Sequence, residues 1–282
     1  MKTYIDCISC FIKQAIEVGR LVSDDEIVHH KLIRKVVDRL RDYDFQLSPP
    51  EMGQYIYEQA RLISGVKDPY KKQKKDFNHF ATELYDEFHQ AVTQSADPVR
   101  AAILLAISGN IIDFGTGHSM DHDKIDENIR KTIAEPLDDT VLTQFKEQTA
   151  SAEKILYIAD NAGEIVFDKL LIELLPTKKI TVVVRGGYII NDVTMQDAID
   201  IGLTDIVTVI DNGDNSPGCV LDRCSDQFKQ ALAETDMVIA KGQGNFESLE
   251  NSGYNIFFLL KAKCSVLAKH IGVKQGSIVF RK

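Results

Sequence analysis

"KILYIADNAGEIVFDKLLIELLPTKKITVVVRGG", from Lys154 to Gly187, decides how the chain is read. Two short apolar runs, Ile155–Ala159 and Ile180–Val184, flank "EIVFDKLLIEL", whose apolar residues recur at helical spacing. A strand, a helix and a second strand with no room for a hairpin make a crossover. The two strands must therefore run parallel, joined in the right-handed sense. Neither run alternates apolar with polar residues, which fits strands covered on both faces.

The rhythm continues downstream. "DIVTVIDNG", "DMVIAKGQG", "NIFFLLKAK" and the closing "SIVFRK" read as further strands, with "VTMQDAIDIG" and "SDQFKQALAET" as helices between them. Upstream, the pattern is helical. Ile5, Ile8, Ile12, Ala15 and Ile16 share one helical face, and Ser23 with Glu26 stands in capping-box register. Ser48-Pro49 with Glu51, and Asp97-Pro98, mark two more helix starts. The expected fold is α/β: a doubly wound, mainly parallel sheet in an α/β/α sandwich, with a helical N-terminal region. That region is taken as residues 1–100 and the α/β part as 101–282, with no marked linker between them.

Composition narrows the function. The formal charge of -9 disfavours a nucleic-acid backbone as partner. No apolar run reaches membrane-spanning length, and "MKTYIDCISC" lacks a signal-peptide core. Five cysteines do not form an even disulfide framework, so a reducing, cytoplasmic compartment is expected. Oligomeric state is not legible.

Ligands of such sheets bind beyond the carboxyl ends of the strands. The first run ends in Asp160, Asn161, Gly163 and Glu164, and the second in Arg185-Gly186, followed by Asn191-Asp192. The later ones end in Asp211-Asn212-Gly213, in Lys241-Gly242-Gln243-Gly244-Asn245, and in Lys261 and Lys263. Asp160, Asn161 and Asp192 offer oxygen donors suited to a hard divalent cation. Lysines beside glycines suit a phosphate, which the amides can approach closely. An Asp-Asn pair after a strand is ordinarily a turn or cap, so it is the convergence on one edge that points to a site. The lysines of "DPYKKQKKDFN" read as a solvated helix start. Asp168, one turn after Glu164, is either a partner of the site or part of a solvated face. His118 reads as exposed.

Together "GNIIDFG", "DNAGEIVFD", "RGGYIINDVT", "KGQGNFE" and "FLLKAKC" resemble the damage-control phosphatase family, and "CISC" and "DPYKKQKKDFN" extend the likeness over nearly the whole chain. The "CISC" and "GNFE" stretches resemble its stand-alone, mostly prokaryotic branch. The resemblance implies a single divalent cation (magnesium, manganese, cobalt or nickel) held by Asp160, Asn161 and Asp192. It also implies hydrolysis of small phosphorylated metabolites such as sugar phosphates, with Asn110, Asp113 and Lys241 near the phosphate. Joined to the strand-end reading, it assigns Asp160, Asp113 and Lys241 to catalysis, and Asn110, Glu164, Gly244 and Asn245 to the substrate. Gly242 and Gly244 are expected to turn backbone amides toward the anion. Cys7 and Cys10 share a helix face and are read as packing thiols or as part of a metal or redox pair. The competing functions are S-adenosylmethionine-dependent carboxyl methyl transfer and non-catalytic sugar-phosphate binding. Strand two ends in Arg185, where a ribose grip calls for a carboxylate.

Overall fold

The computed structural model describes residues 1–109 and 122–282, except for the side chains of residues 122–126 and 128. Asn110, Asp113 and His118 lie outside the described residues. Helices α1 (Cys7–Val22), α2 (Glu26–Arg41), α3 (Pro49–Ser64), α4 (Lys71–Glu83), α5 (Tyr85–Thr93) and α6 (Pro98–Ser108) come first. Helices α7 (His122–Ile133) and α8 (Asp139–Ser151) lead into the sheet. Then follow β1 (Ile155–Ile158), α9 (Glu164–Glu173), β2 (Ile180–Val184), α10 (Met195–Asp200) and β3 (Thr208–Asp211). The chain ends with α11 (Asp226–Ala233), β4 (Met237–Lys241), α12 (Gln243–Leu249), β5 (Ile256–Lys261), α13 (Ser265–Ile271) and β6 (Ile278–Arg281).

The strands lie in the order β3-β2-β1-β4-β5-β6. The first five are parallel, and only β6 runs antiparallel, against β5. Ile155 sits between Ile180 of β2 and Met237 of β4, so the winding reverses between β1 and β4. In such sheets this switch point, beyond the strand ends, is where a ligand crevice is expected. The sheet is an α/β sandwich, as the alternating runs predict.

Period-2 geometry assigns β1 to two cores. Ile155 and Tyr157 enter one cluster with Phe88, Ile103, Phe145 and Phe167, while Leu156 and Ile158 enter another with Phe228, Phe246 and Leu267. The first cluster contains Ala81, Leu84 and Phe88 from α4 and α5, so these N-terminal helices share their core with the sheet. A third cluster holds α1–α3 together through Phe11, Val18, Leu32, Val36, Met52 and Ile56.

The local signals hold with one shift. Ser48 and Glu51 form the capping box of α3 with proline in its first turn, and Asp97 caps α6 through the Arg100 amide at 3.2 Å. At α2 the cap is Asp25, not Ser23: Asp25 Oδ1 accepts from the Ile27 amide at 2.8 Å, while Ser23 Oγ accepts from the Asp25 amide at 3.0 Å. Both side chains satisfy helix-start donors, and Asp25 has the register because its own backbone is extended where the helix begins. Among the described residues no helix is long and apolar enough to cross a membrane.

Candidate functional site

Two turns build the crevice. The one after β1 carries Asp160-Asn161, and the one after β2 returns to Asn191-Asp192. Asn161 and Asp192 face each other in an isolated antiparallel bridge. Backbone bonds close the turns on one another: Val193 N–H donates to the Asp160 carbonyl and Ala162 N–H to the Asn191 carbonyl, each at 2.9 Å. Ile190, just before this pair, has φ +42°. That region strains a β-branched residue, and the strain sits next to Asp192.

The side chains add charge. Asn161 Nδ2 donates to Asp160 Oδ2 at 2.7 Å and to Glu164 Oε2 at 3.2 Å. With both amide hydrogens on carboxylates, its oxygen is the atom left to face a ligand. Arg185, wholly buried, donates through Nε to Asp192 Oδ2 at 2.7 Å and through a terminal nitrogen to Asn245 Oδ1 at 3.1 Å. That same nitrogen lies 3.9 Å from Asp160 Oδ1. Burial pushes the Asp160 carboxyl up to about 8, helped by the Glu164 and Asp192 carboxylates, with Lys263 and Arg185 opposing. Burial also raises Asp192, against Arg185, Lys74 and Lys263. Asp160 and Asp192 share one guanidinium, with Glu164 paired to Lys241 beside them, a buried distribution that a divalent cation would balance.

The donor set of two carboxylates and one carboxamide fits a hard metal with open coordination positions. Among the described residues no three His, Cys, Asp or Glu side chains are grouped to hold a metal. The fit rests on the oxygen of Asn161 joining the two aspartates. Gly242 shapes the cradle: at φ +81°, a Cβ there would lie 2.0 Å from Asp160 Oδ2. Gly242→Ala is therefore expected to push the Asp160 carboxylate out of place as well as strain the backbone. The expected cost is about 1–3 kcal/mol, read as a lowered urea midpoint.

Other residues land differently from their sequence reading. Lys241 is fully buried, and its ammonium donates to the Ala106 carbonyl at 2.7 Å, to Asp168 Oδ1 at 2.6 Å and to Glu164 Oε1. All three of its protons are used inside the protein, so it anchors Glu164 from below instead of facing the crevice. Asp168 is a buried partner of the site and not part of a solvated face. Burial pushes its carboxyl up to about 7, outweighing the attraction of Lys241. Burial would lower Lys241, but Asp168 and Glu164 hold it above its ordinary range. One ammonium serves two dry carboxylates, so the second takes up a proton easily.

Asn245 is likewise buried with its groups engaged. Its Nδ2 donates to the Lys241 carbonyl at 2.7 Å and the Ala159 carbonyl at 3.2 Å, stitching β4 to β1 beneath the crevice. Gly244 fits against the chain after β3, where a Cβ would meet the Pro217 carbonyl at 1.9 Å. The Gly242 amide donates to the Leu259 carbonyl at 3.0 Å. Both glycines permit close packing, and the Gly242 amide is spent on the sheet instead of facing an anion.

Four contributors went unassigned in the sequence. Lys263, exposed beyond β5, acts electrostatically on Asp160 and Asp192. It stood among the strand-end residues, where two lysines two apart gave no way to choose between them. Lys74 and Asn78 come from the "DPYKKQKKDFN" run: Lys71, Lys72 and Lys75 are solvated, but Lys74 is buried against Asp197 at 2.6 Å. Asp197, the fourth, looked like an ordinary capping-box residue, and it is one.

All five cysteines are free thiols. Cys7 is buried and Cys10 exposed on the first turn of α1, and Cys7 lies within electrostatic reach of Glu247 and Cys264. The "CISC" and "GNFE" stretches are thus neighbours. Cys219 accepts from Arg185 at 3.5 Å, and its thiol is lowered to about 7 by a hydrogen bond from Cys224 and by the guanidinium.

Comparison with known proteins agrees with this architecture. The chain is 33% identical over 286 residues to a damage-control phosphatase of Archaeoglobus fulgidus, covering 97% of this chain and 96% of that protein. It is 33% identical over 289 residues to an uncharacterized protein of Methanocaldococcus jannaschii, covering 98% and 94%. The crystal structure of a DUF89 family protein from Pyrococcus horikoshii superposes with a TM-score of 0.91 at 30% identity, covering 100% of this chain and 99% of that one. Residues 3–279 match the model of the damage-control phosphatase ARMT1-like domain, and the chain belongs to that family.

Proposed function

We propose that this chain is a divalent-cation-dependent phosphatase for small phosphorylated metabolites, sugar phosphates among them. The relatives' names support phosphate-ester hydrolysis. The observation that carries the metal reading is the bridge setting Asn161 against Asp192, with Asp160 alongside. Asp160, Asn161 and Asp192 would hold magnesium, manganese, cobalt or nickel, which when bound would supply Lewis acidity for the phosphoryl oxygens and for a water.

The protein's own residues prepare that arrangement. Arg185 holds the Asp192 carboxylate in one orientation. Glu164, pinned by Lys241, turns the Asn161 amide so that its oxygen faces outward. Lys263, exposed and within electrostatic reach of Asp160 and Asp192, would stabilise charge developing on the substrate's phosphate. Asp113, assigned to catalysis in the sequence, is outside the described residues. Against methyl transfer, the group ending β2 is a guanidinium committed to Asp192, Asn245 and Cys219, not a carboxylate for ribose hydroxyls.

The test is phosphate release from p-nitrophenyl phosphate and a panel of sugar phosphates. Metal-stripped protein is assayed with magnesium, manganese, cobalt and nickel added back singly. Release is expected with at least one cation and not without. Equal release in chelator would overturn the metal requirement, and no release with any cation would overturn the phosphatase reading for these substrates.

A further inference from the structure

The turns carrying Asp160-Asn161 and Asp192 belong to the α/β part, yet a residue of the N-terminal helices ties them together. Asn78 leaves α4 and is buried between them. Its Oδ1 accepts from the Gly163 amide at 2.6 Å, and its Nδ2 donates to Asp197 Oδ1 at 3.1 Å. Gly163 closes the first turn at φ +77°, where a Cβ would lie 3.0 Å from the Phe77 Cβ, so α4 is pressed onto it.

Asp197 holds the second turn. Its Oδ2 accepts from Thr194 N at 2.8 Å and Thr194 Oγ1 at 2.6 Å, two residues beyond Asp192. Lys74, one helical turn before Asn78, places its ammonium 2.6 Å from the same oxygen and 3.4 Å from Thr194 Oγ1. One carboxamide thus satisfies a backbone donor of one turn and a carboxylate acceptor of the other, in an interior where an unmet group is costly.

We infer that Asn78 is a positioning residue that sets the separation of the two ligand-bearing turns, with Lys74 and Asp197 as its support. The inference deepens the metal-dependent reading and rests on it for its effect on activity. Outer residues that orient metal ligands are commonly worth about 10–100-fold in affinity or activity. Asn78 would act at this level without touching metal or substrate.

The experiment pairs hydrogen exchange by mass spectrometry with manganese titration of the full chain. Asn78→Ala is expected to speed exchange in residues 160–164 and 191–197 together, to weaken manganese binding by about 10–100-fold, and to lower kcat more than it raises KM. Asn78→Asp keeps the acceptor for the Gly163 amide but sets a carboxylate against Asp197. It should spare residues 160–164 and loosen 191–197, which keeps the test open if the alanine variant does not fold. Gln73→Ala, on the exposed face of α4, should change none of these.

Unchanged exchange in both segments would overturn the inference. So would faster exchange with manganese affinity and kcat at wild-type values, since that describes a merely structural contact. If the wild type binds none of magnesium, manganese, cobalt and nickel, the metal requirement fails on its own. Exchange then decides the clamp: paired loosening supports it and its absence overturns it.

Discussion

Lys241→Met is expected to destabilise the protein by about 3–5 kcal/mol, the cost of removing one partner from a buried ion network. The ammonium is wholly buried between Glu164 and Asp168, and methionine fills its volume while leaving both carboxylates without their shared cation. The loss should depend on pH. Asp168 already sits near 7, far above its unfolded value of 3.8, so the folded state binds its proton more tightly. A group raised in this way contributes stability that is present below its unfolded value and lost as pH rises through its folded value. Without Lys241 the Asp168 carboxyl shifts higher still, so the deficit against wild type should be larger at pH 8 than at pH 5. In the wild type, the raised Lys241 contributes stability at neutral pH that is lost only in strong alkali. Urea denaturation of both proteins at the two pH values checks this. A deficit that grew on acidification would mean that Lys241 does not serve these carboxylates.

Asp160→Ala is expected to have the opposite profile, with activity collapsing while stability holds. Loss of one main electrostatic stabiliser costs a factor on the order of 10³ in rate at the upper end. The same carboxylate is under strain in the metal-free protein, pushed up to about 8 by burial and by Glu164 and Asp192. Its stabilising contribution is therefore lost as pH rises through that value. The alanine variant should lack this alkaline loss and melt no lower than metal-free wild type at pH 9. Manganese should raise the melting temperature of the wild type by mass action, and it should do so far less in the variant. Melting curves with and without manganese, beside phosphate release, test both halves. A variant that retained metal-dependent turnover would remove Asp160 from the metal site. The combination sought is that of a site whose charge arrangement serves function at the expense of stability.

Much of this was already written in one dimension. Parallel strands covered on both faces need unbroken apolar runs, and helices between them need the 3.6-residue period, so Lys154–Gly187 declares its crossover locally. Strand ends are equally local, which is why Asp160, Asn161 and Asp192 could be named before their bridge was seen. Sequence also located Lys241 at the end of β4, but not where its ammonium goes. Whether a lysine at a strand end faces a ligand or is saturated beneath it depends on Glu164, Asp168 and Ala106, which come from α9 and α6. The engagement of Asn245 was hidden for the same reason, since its partner Arg185 is distant in the chain.

Lys74 and Asn78 were hidden differently. In a run of four lysines, one helical face is solvated and another is pressed onto the sheet's loops, and composition alone cannot say which residue turns inward. The sequence by itself determined the strand and helix periods, the doubly wound order and the oxygen-rich edge, because those follow from neighbours a few residues apart. Only the tertiary structure decided which polar groups face the crevice and which are consumed in holding it. A buried hydrogen bond or ion pair is satisfied by whatever the fold brings within about 3 Å, and for Asn78 that partner, Asp197, lies 119 residues away.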